Sequence, residues 1–168
     1  SVEQINYIRP GLKLKVNSVT IPADRRPVID LTITDDFDQP LDRLGKVTPG
    51  VISISLIAAW WDDGAKQYTA YTTRVQTSPI TNVSATQAGA DSGGTWTDVS
   101  VGNSKYQFRT ALPATFDQTK THTIGIYSTR NMTDIVGKNY YANVEYDFRP
   151  DGKAVTEKWA NMTDTGVA

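Results

Sequence analysis

Cysteine is absent from the chain, which excludes disulfides, thiolate catalysis, iron–sulfur clusters and covalently attached haem within these residues. The compartment stays open, because exported and cytosolic proteins alike can lack cysteine. Histidine occurs once, at His122, so any Ser-His-Asp triad or His-based acid–base site has to run through that residue. Zinc is poorly served for the same reason, since a structural site takes four Cys or His ligands and a catalytic one about three. Long apolar runs are missing too: no stretch approaches the roughly 20 apolar residues that span a bilayer. The opening residues, SVEQINYIRP, lack the basic and apolar regions of a signal peptide, so the chain is expected either to be cytosolic or to be cut from a larger one. An excess of one charge is lacking as well. With 17 Lys and Arg against 18 Asp and Glu the net charge is -1, which gives no footprint for nucleic acid or for an anionic membrane. No glycine-rich loop follows a strand and opens a helix, so the nucleotide-binding fingerprints are absent.

What the chain does have is strand grammar. In Gly11 to Pro22, Leu12, Leu14 and Val16 alternate with Lys13, Lys15 and Asn17, the pattern of a strand with one wet face. Ile29, Leu31 and Ile33 alternate with polar neighbours through Pro27 to Asp36. Leu41 to Gly50 reads as a loop bounded by Gly45, Pro49 and Gly50, and Val51 to Trp61 as a strand buried on both faces for part of its course. Gln67 to Gln76 supplies a further strand rich in Tyr and Thr, and Thr77 to Gly94 a polar loop of small residues with little to bury. Two alternating runs from Trp96 to Thr110, joined by Gly102, Asn103 and Ser104, predict a hairpin. Thr121 to Ser128 is the next strand, Met132 to Val136 one helical turn, and Tyr140 to Phe148 the last strand.

These make about eight strands at spacings of roughly ten residues with no convincing amphipathic helix, which predicts an all-β fold. The expected architecture is an Ig-like, Greek-key β-sandwich or a split barrel. Residues 1–10 form a lead, 11–152 a single domain, and 153–168 an extended exit segment.

Candidate chemistry is sparse. His122 lies mid-strand between two threonines, a setting that favours a structural or surface role over catalysis. Asp35, Asp36, Asp38 and Asp42 crowd one turn, as the hard oxygen ligands of calcium would; Asp is equally the ordinary turn residue, because its side chain bonds nearby backbone N–H groups. Trp60 and Trp61, with Tyr68, Tyr71 and Trp96, offer an aromatic platform for sugar or for another domain. Adjacent strand residues face opposite ways, so one tryptophan is expected in the core and the other at an interface.

Three phrases carry a further signal: PVIDLTITDDFDQPLD, then TWTDVSVGNSKYQFRTALPATFDQTKTHTIGIYSTR, then YDFRPDGKAV. In this order and spacing they resemble the haem-free N-terminal β domain of the OmcA/MtrC family of outer-membrane decahaem c-type cytochromes. The matching elements include the strand segment Thr121, His122 and Thr123 and the turn from Asp147 to Gly152. In that family the first CxxCH haem-attachment motif follows soon after, and Ala168 falls about where it is expected. The resemblance implies a parent protein at the outer membrane, on the extracellular side of the bacterial cell surface, that passes respiratory electrons outward. It implies c-type haem in the parent and no cofactor in this segment, with a non-enzymatic, structural role here. The implied partners are the haem domain of the same chain and an outer-membrane porin–cytochrome complex. In that setting His122 becomes a candidate haem-proximal residue, and Trp60, Trp61, Tyr140, Tyr141 and Trp159 candidate interface residues. The rival reading is a free-standing adhesion or carbohydrate-binding module, with Trp60, Trp61 and Tyr71 as its stacking platform.

Overall fold

The computed structural model describes residues 8–155. Ten strands lie among them: β1 (Lys13–Thr20), β2 (Val28–Thr34), β3 (Ile52–Asp62), β4 (Gln67–Ala70), β5 (Thr73–Thr77), β6 (Ser84–Ala88), β7 (Thr95–Ser100), β8 (Asn103–Gln107), β9 (His122–Met132) and β10 (Lys138–Phe148). A single helical turn, α1 (Thr133–Val136), joins the last two and closes on Gly137. All pairings are antiparallel.

One sheet has the order β1-β2-β8-β7 and the other β10-β9-β3-β4, while β5 and β6 form a separate two-stranded ribbon. Lettered from the N-terminus with the ribbon left out, these are the ABED and GFC faces of an immunoglobulin-type Greek key, with a fourth strand added beside C. The expected sandwich is therefore the observed fold, and no barrel closes.

Side-chain alternation explains where the core lies. In β2, Ile29, Leu31 and Ile33 are each 0% exposed while the residues between them stay half-buried. Each such aliphatic side chain taken out of water contributes about 2 kcal/mol. Ile29 and Leu31 meet Leu56 and Ala58 of β3 and Ile124 and Ile126 of β9, with Val16, Tyr106 and Phe108 completing the layer, while Ile33 packs with Leu12, Leu41 and Ile52. A β-bulge shifts the register of β1 between Val16 and Ser18, which turns Val19 rather than Ser18 toward this core. The displaced Asn17 donates to the side chains of Asp30 and Thr32 at the surface.

The β7–β8 hairpin is present, but Asn103 and Ser104, expected in its loop, are already strand residues. The turn narrows to Val101 and Gly102. Gly102 has φ +88, and a Cβ there would stand 2.4 Å from the Pro40 ring, so both backbone conformation and space require glycine.

Two expectations fail between residues 67 and 94. The single strand from Gln67 to Gln76 is broken at Tyr71 and Thr72, and the polar loop from Thr77 to Gly94 contains strand β6. At the break the Tyr71 N–H donates to the Ala58 carbonyl at 2.8 Å, and Thr72, 2% exposed, receives the Ala58 N–H on its hydroxyl. These contacts hold the chain to β3 while it leaves the sheet to form the ribbon. Every residue of β5 and β6 is exposed, so no apolar alternation marks either strand.

Candidate functional site

His122 opens β9 on the core side and is 2% exposed. Its Nδ1 lies 2.9 Å from the Lys120 carbonyl and its Nε2 2.8 Å from the Tyr71 hydroxyl. A carbonyl can only accept, so Nδ1 carries the proton and Nε2 accepts from Tyr71. The ring stacks on Tyr71 at 5.5 Å between centroids, with Phe148 at 5.7 Å and Phe116 at 6.2 Å around it. Burial pushes the Tyr71 phenol well above its usual range. A haem iron approaching His122 would have to displace Tyr71 and open this aromatic box. The arrangement is that of a polar tie inside an apolar end of the sandwich.

The tryptophans divide between the two faces of β3. Trp60 pairs across the sheet with His122 and is half-buried, whereas Trp61 is 5% exposed and meets Tyr68 edge-on at 5.3 Å. With Tyr71 engaged at His122, Trp60, Trp61 and Tyr71 do not make one stacking platform. Trp96 is covered by the Arg43 guanidinium, 4.4 Å from its ring, and Arg43 is held there by two bonds to Asp98.

The four aspartates do not converge on one point. Asp35 accepts the N–H groups of Phe37 and Gln39 at 2.8 and 2.9 Å, and Asp42 accepts those of Leu44, Lys46 and Val47. Those three donors hold the Asp42 carboxyl below its ordinary range against the opposing effect of burial. Asp38 pairs with Lys13. Among the described residues no group of three or more His, Cys, Asp or Glu side chains stands close enough to hold a metal ion. Asp35 and Asp42 are occupied as turn residues and Asp38 in its ion pair.

On β10, Tyr140 is half-buried under the Lys138 ammonium, while Tyr141 points outward and is 69% exposed. Tyr127 of β9 shares that outer face and is exposed as well. Trp159 lies outside the described residues.

Sequence reasoning missed three features. Arg130 is fully buried, and its five N–H groups donate to the carbonyls of Ile8, Arg9, Gly11 and Pro49, with Pro49 accepting two of them. It fastens the lead segment to the sheet. Asp91 accepts from the Tyr106 hydroxyl, the Thr110 hydroxyl and the backbone N–H groups of Arg109 and Thr110. Its own N–H donates to Leu56 of the opposite sheet at 2.8 Å, so it stitches the two layers together.

The third feature is a groove of about 710 Å³ on the outer face of the β10-β9-β3-β4 sheet. Ala59, Ala70 and Gly125 line it with Ile57, Tyr68 and Tyr127, and Ala88 reaches it from the ribbon. Glu145 lines it from β10, and Thr123, whose hydroxyl donates to Asp147 at 2.7 Å, lines it from β9. Burial raises both carboxyls above their ordinary values, Glu145 further so because Asp147 is near, and pushes the Tyr68 phenol up to about 12. A signal for the groove existed: the outward positions of β3 and β9 carry Ile57, Ala59, Trp61, Thr123 and Gly125 where a solvated sheet face usually carries charge.

The strand order and the aliphatic core define an immunoglobulin-like β-sandwich domain. The same fold occurs within two solved multihaem proteins. The outer membrane decahaem cytochrome OmcA superimposes with a TM-score of 0.62 at 15% identity, over 88% of this chain and 24% of that one. MtrC from Shewanella baltica OS185 does so with a TM-score of 0.55 at 18% identity, over 88% of this chain and 23% of that one. This chain thus spans about a quarter of the length of either cytochrome. These are the proteins whose family the three sequence phrases resemble. No protein-family model matches the chain, and no curated protein sequence does.

Proposed function

We propose that this chain is a non-catalytic accessory β domain of a cell-surface multihaem cytochrome that takes part in extracellular electron transfer. The observation that carries the reading is the fold match, which extends over 88% of this chain but only 24% and 23% of two decahaem cytochromes. A cysteine-free sandwich has no thiol on which c-type haem can be attached. Its contribution is then mechanical: it flanks the haem domain of the same chain on the extracellular side of the outer membrane and offers surface to a porin–cytochrome complex. Of the described interface candidates Trp60, Trp61, Tyr140 and Tyr141, Tyr141 on the outer face of β10 offers the most exposed aromatic surface for docking, where such side chains supply apolar area with a polar tip. His122 acts inside the sandwich and not as a haem ligand.

The test is to read the parent gene on both sides of this segment and to express the longer form. CxxCH motifs together with a c-type haem absorbance spectrum are the expected result, and His122→Ala should leave the haem bands unchanged. A parent gene without CxxCH overturns the cytochrome reading and leaves the adhesion or glycan-binding module in its place.

A further inference from the structure

The groove on the outer face of the second sheet has no part in the accessory role, and its construction is that of a ligand pocket. Its size lies within the range of small-molecule sites, which are mostly apolar with a few convergent polar groups. Gly125 sits centrally in β9, flanked by Ile57 of β3 and Glu145 of β10. A Cβ built on it would meet nothing within 4 Å. Packing therefore does not demand glycine there, and its φ is not in the left-handed region. What the missing side chain does is leave the floor of the groove open, together with the small Ala59 and Ala70.

Tyr68 and Tyr127 supply aromatic faces, and none of the described lining residues is basic. Among the described residues, no hydrogen bond or ion pair reaches the Glu145 carboxylate, whose neighbour on the same face of β10 is the Asp147 carboxylate. We infer that this groove binds a small aromatic ammonium compound, its ring laid on the Gly125 floor between Tyr68 and Tyr127 and its N–H groups donating to Glu145. A cation is the complement of two adjacent carboxylates in an apolar setting, and it is favoured over tyrosine faces. A cation arriving there favours the ionised form of both acids and so opposes the effect of burial. The inference stands apart from the cytochrome reading and holds or fails without it.

Tryptamine is a suitable probe, followed by heteronuclear NMR on the full chain near neutral pH. Saturable shifts confined to amides around Ala59, Ala70, Gly125 and Glu145 are expected. Glu145→Gln, which keeps the shape and removes the charge, should weaken binding about tenfold, as loss of a charge-assisted hydrogen bond does. Gly125→Leu should abolish it, with a dispersed native spectrum showing that the sandwich persists. Indole-3-propionate, with a similar ring and the opposite charge, should bind at least about tenfold more weakly than tryptamine. Absence of saturable shifts overturns the proposal. So does equal binding of both compounds, or tryptamine binding that Glu145→Gln leaves unchanged.

Discussion

Asp91 and the pair Glu145 and Asp147 are all carboxylates taken partly out of water, yet their acidities move in opposite directions. Burial acts on each in the same sense, favouring the neutral acid. At Asp91 four donors converge, two hydroxyls and two backbone N–H groups, and together they outweigh burial. At Asp147 the Thr123 hydroxyl donates and the Tyr68 hydroxyl acts in the same sense, yet burial prevails. Arg130 is saturated too, since each of its N–H groups has a carbonyl, although burial still holds its pKa below the ordinary guanidinium value. A buried charge with its donors or acceptors saturated serves the fold. One left short marks a place where the sandwich is not optimised for its own stability.

The comparison can be broken hardest at Arg130. Arg130→Ala leaves the carbonyls of Ile8, Arg9, Gly11 and Pro49 unpaired around a new cavity and should cost about 4 kcal/mol of unfolding free energy, read from urea titration. A loss below about 1 kcal/mol would mean that water replaces the guanidinium and that saturation contributes little.

Asp91→Ala comes next, at about 3 kcal/mol, because it strips a charged acceptor from four donors and cuts the stitch between sheets. The pH dependence has a definite sign. The folded-state pKa of Asp91 is depressed, so its stabilisation is complete above the unfolded carboxylate value and is lost as pH falls through the lower folded value. Wild type and Asp91→Asn should therefore converge in stability on acidification, and a gap that persists in strong acid would count against this assignment.

Changes in the groove should act weakly and the other way. Gly125→Ala should raise stability by about 0.5 kcal/mol, since the added methyl meets open space and glycine weakens a strand interior. Thermal denaturation suffices to see it, and a clear loss would show that the floor is packed after all. Glu145→Gln should stabilise the protein near neutral pH by about 0.3 kcal/mol, a small figure because the carboxylate is partly in water, where charge effects are screened. The folded-state pKa of Glu145 is raised, so its ionisation cost appears as pH climbs from the unfolded value through the folded one. The gain from Glu145→Gln should vanish below that window, opposite to the course at Asp91.

Legibility in the sequence followed the same division. β2, with its Ile29, Leu31 and Ile33 alternation, and β10, with Tyr140 to Phe148 in step, were readable because each strand buries one face and so prints a period of two. The ribbon β5–β6 was not, because a strand exposed at every position has no face to mark. The hydrogen-bonding habit of Asp also forecast the outcome at Asp35 and Asp42, where the turn reading of those residues is the one realised. Arg130 was hidden by its own charge. Composition places arginine on the surface, and only the arrival of Ile8, Arg9, Gly11 and Pro49 from elsewhere in the chain makes its burial affordable.

Local pattern alone determined that this chain is all-β, where most of its strands run, and that thiol and multi-histidine chemistry are beyond it. Tertiary structure decided which face of β3 each tryptophan takes, that His122 is sealed by Tyr71, and that Ala59, Ala70 and Gly125 gather beneath one groove. The physical reason is range. Alternation is written between residues two apart, whereas the Tyr71–His122 bond and the pairing of β3 with β9 beneath the groove join residues more than fifty positions apart, and nothing in the local sequence records that meeting.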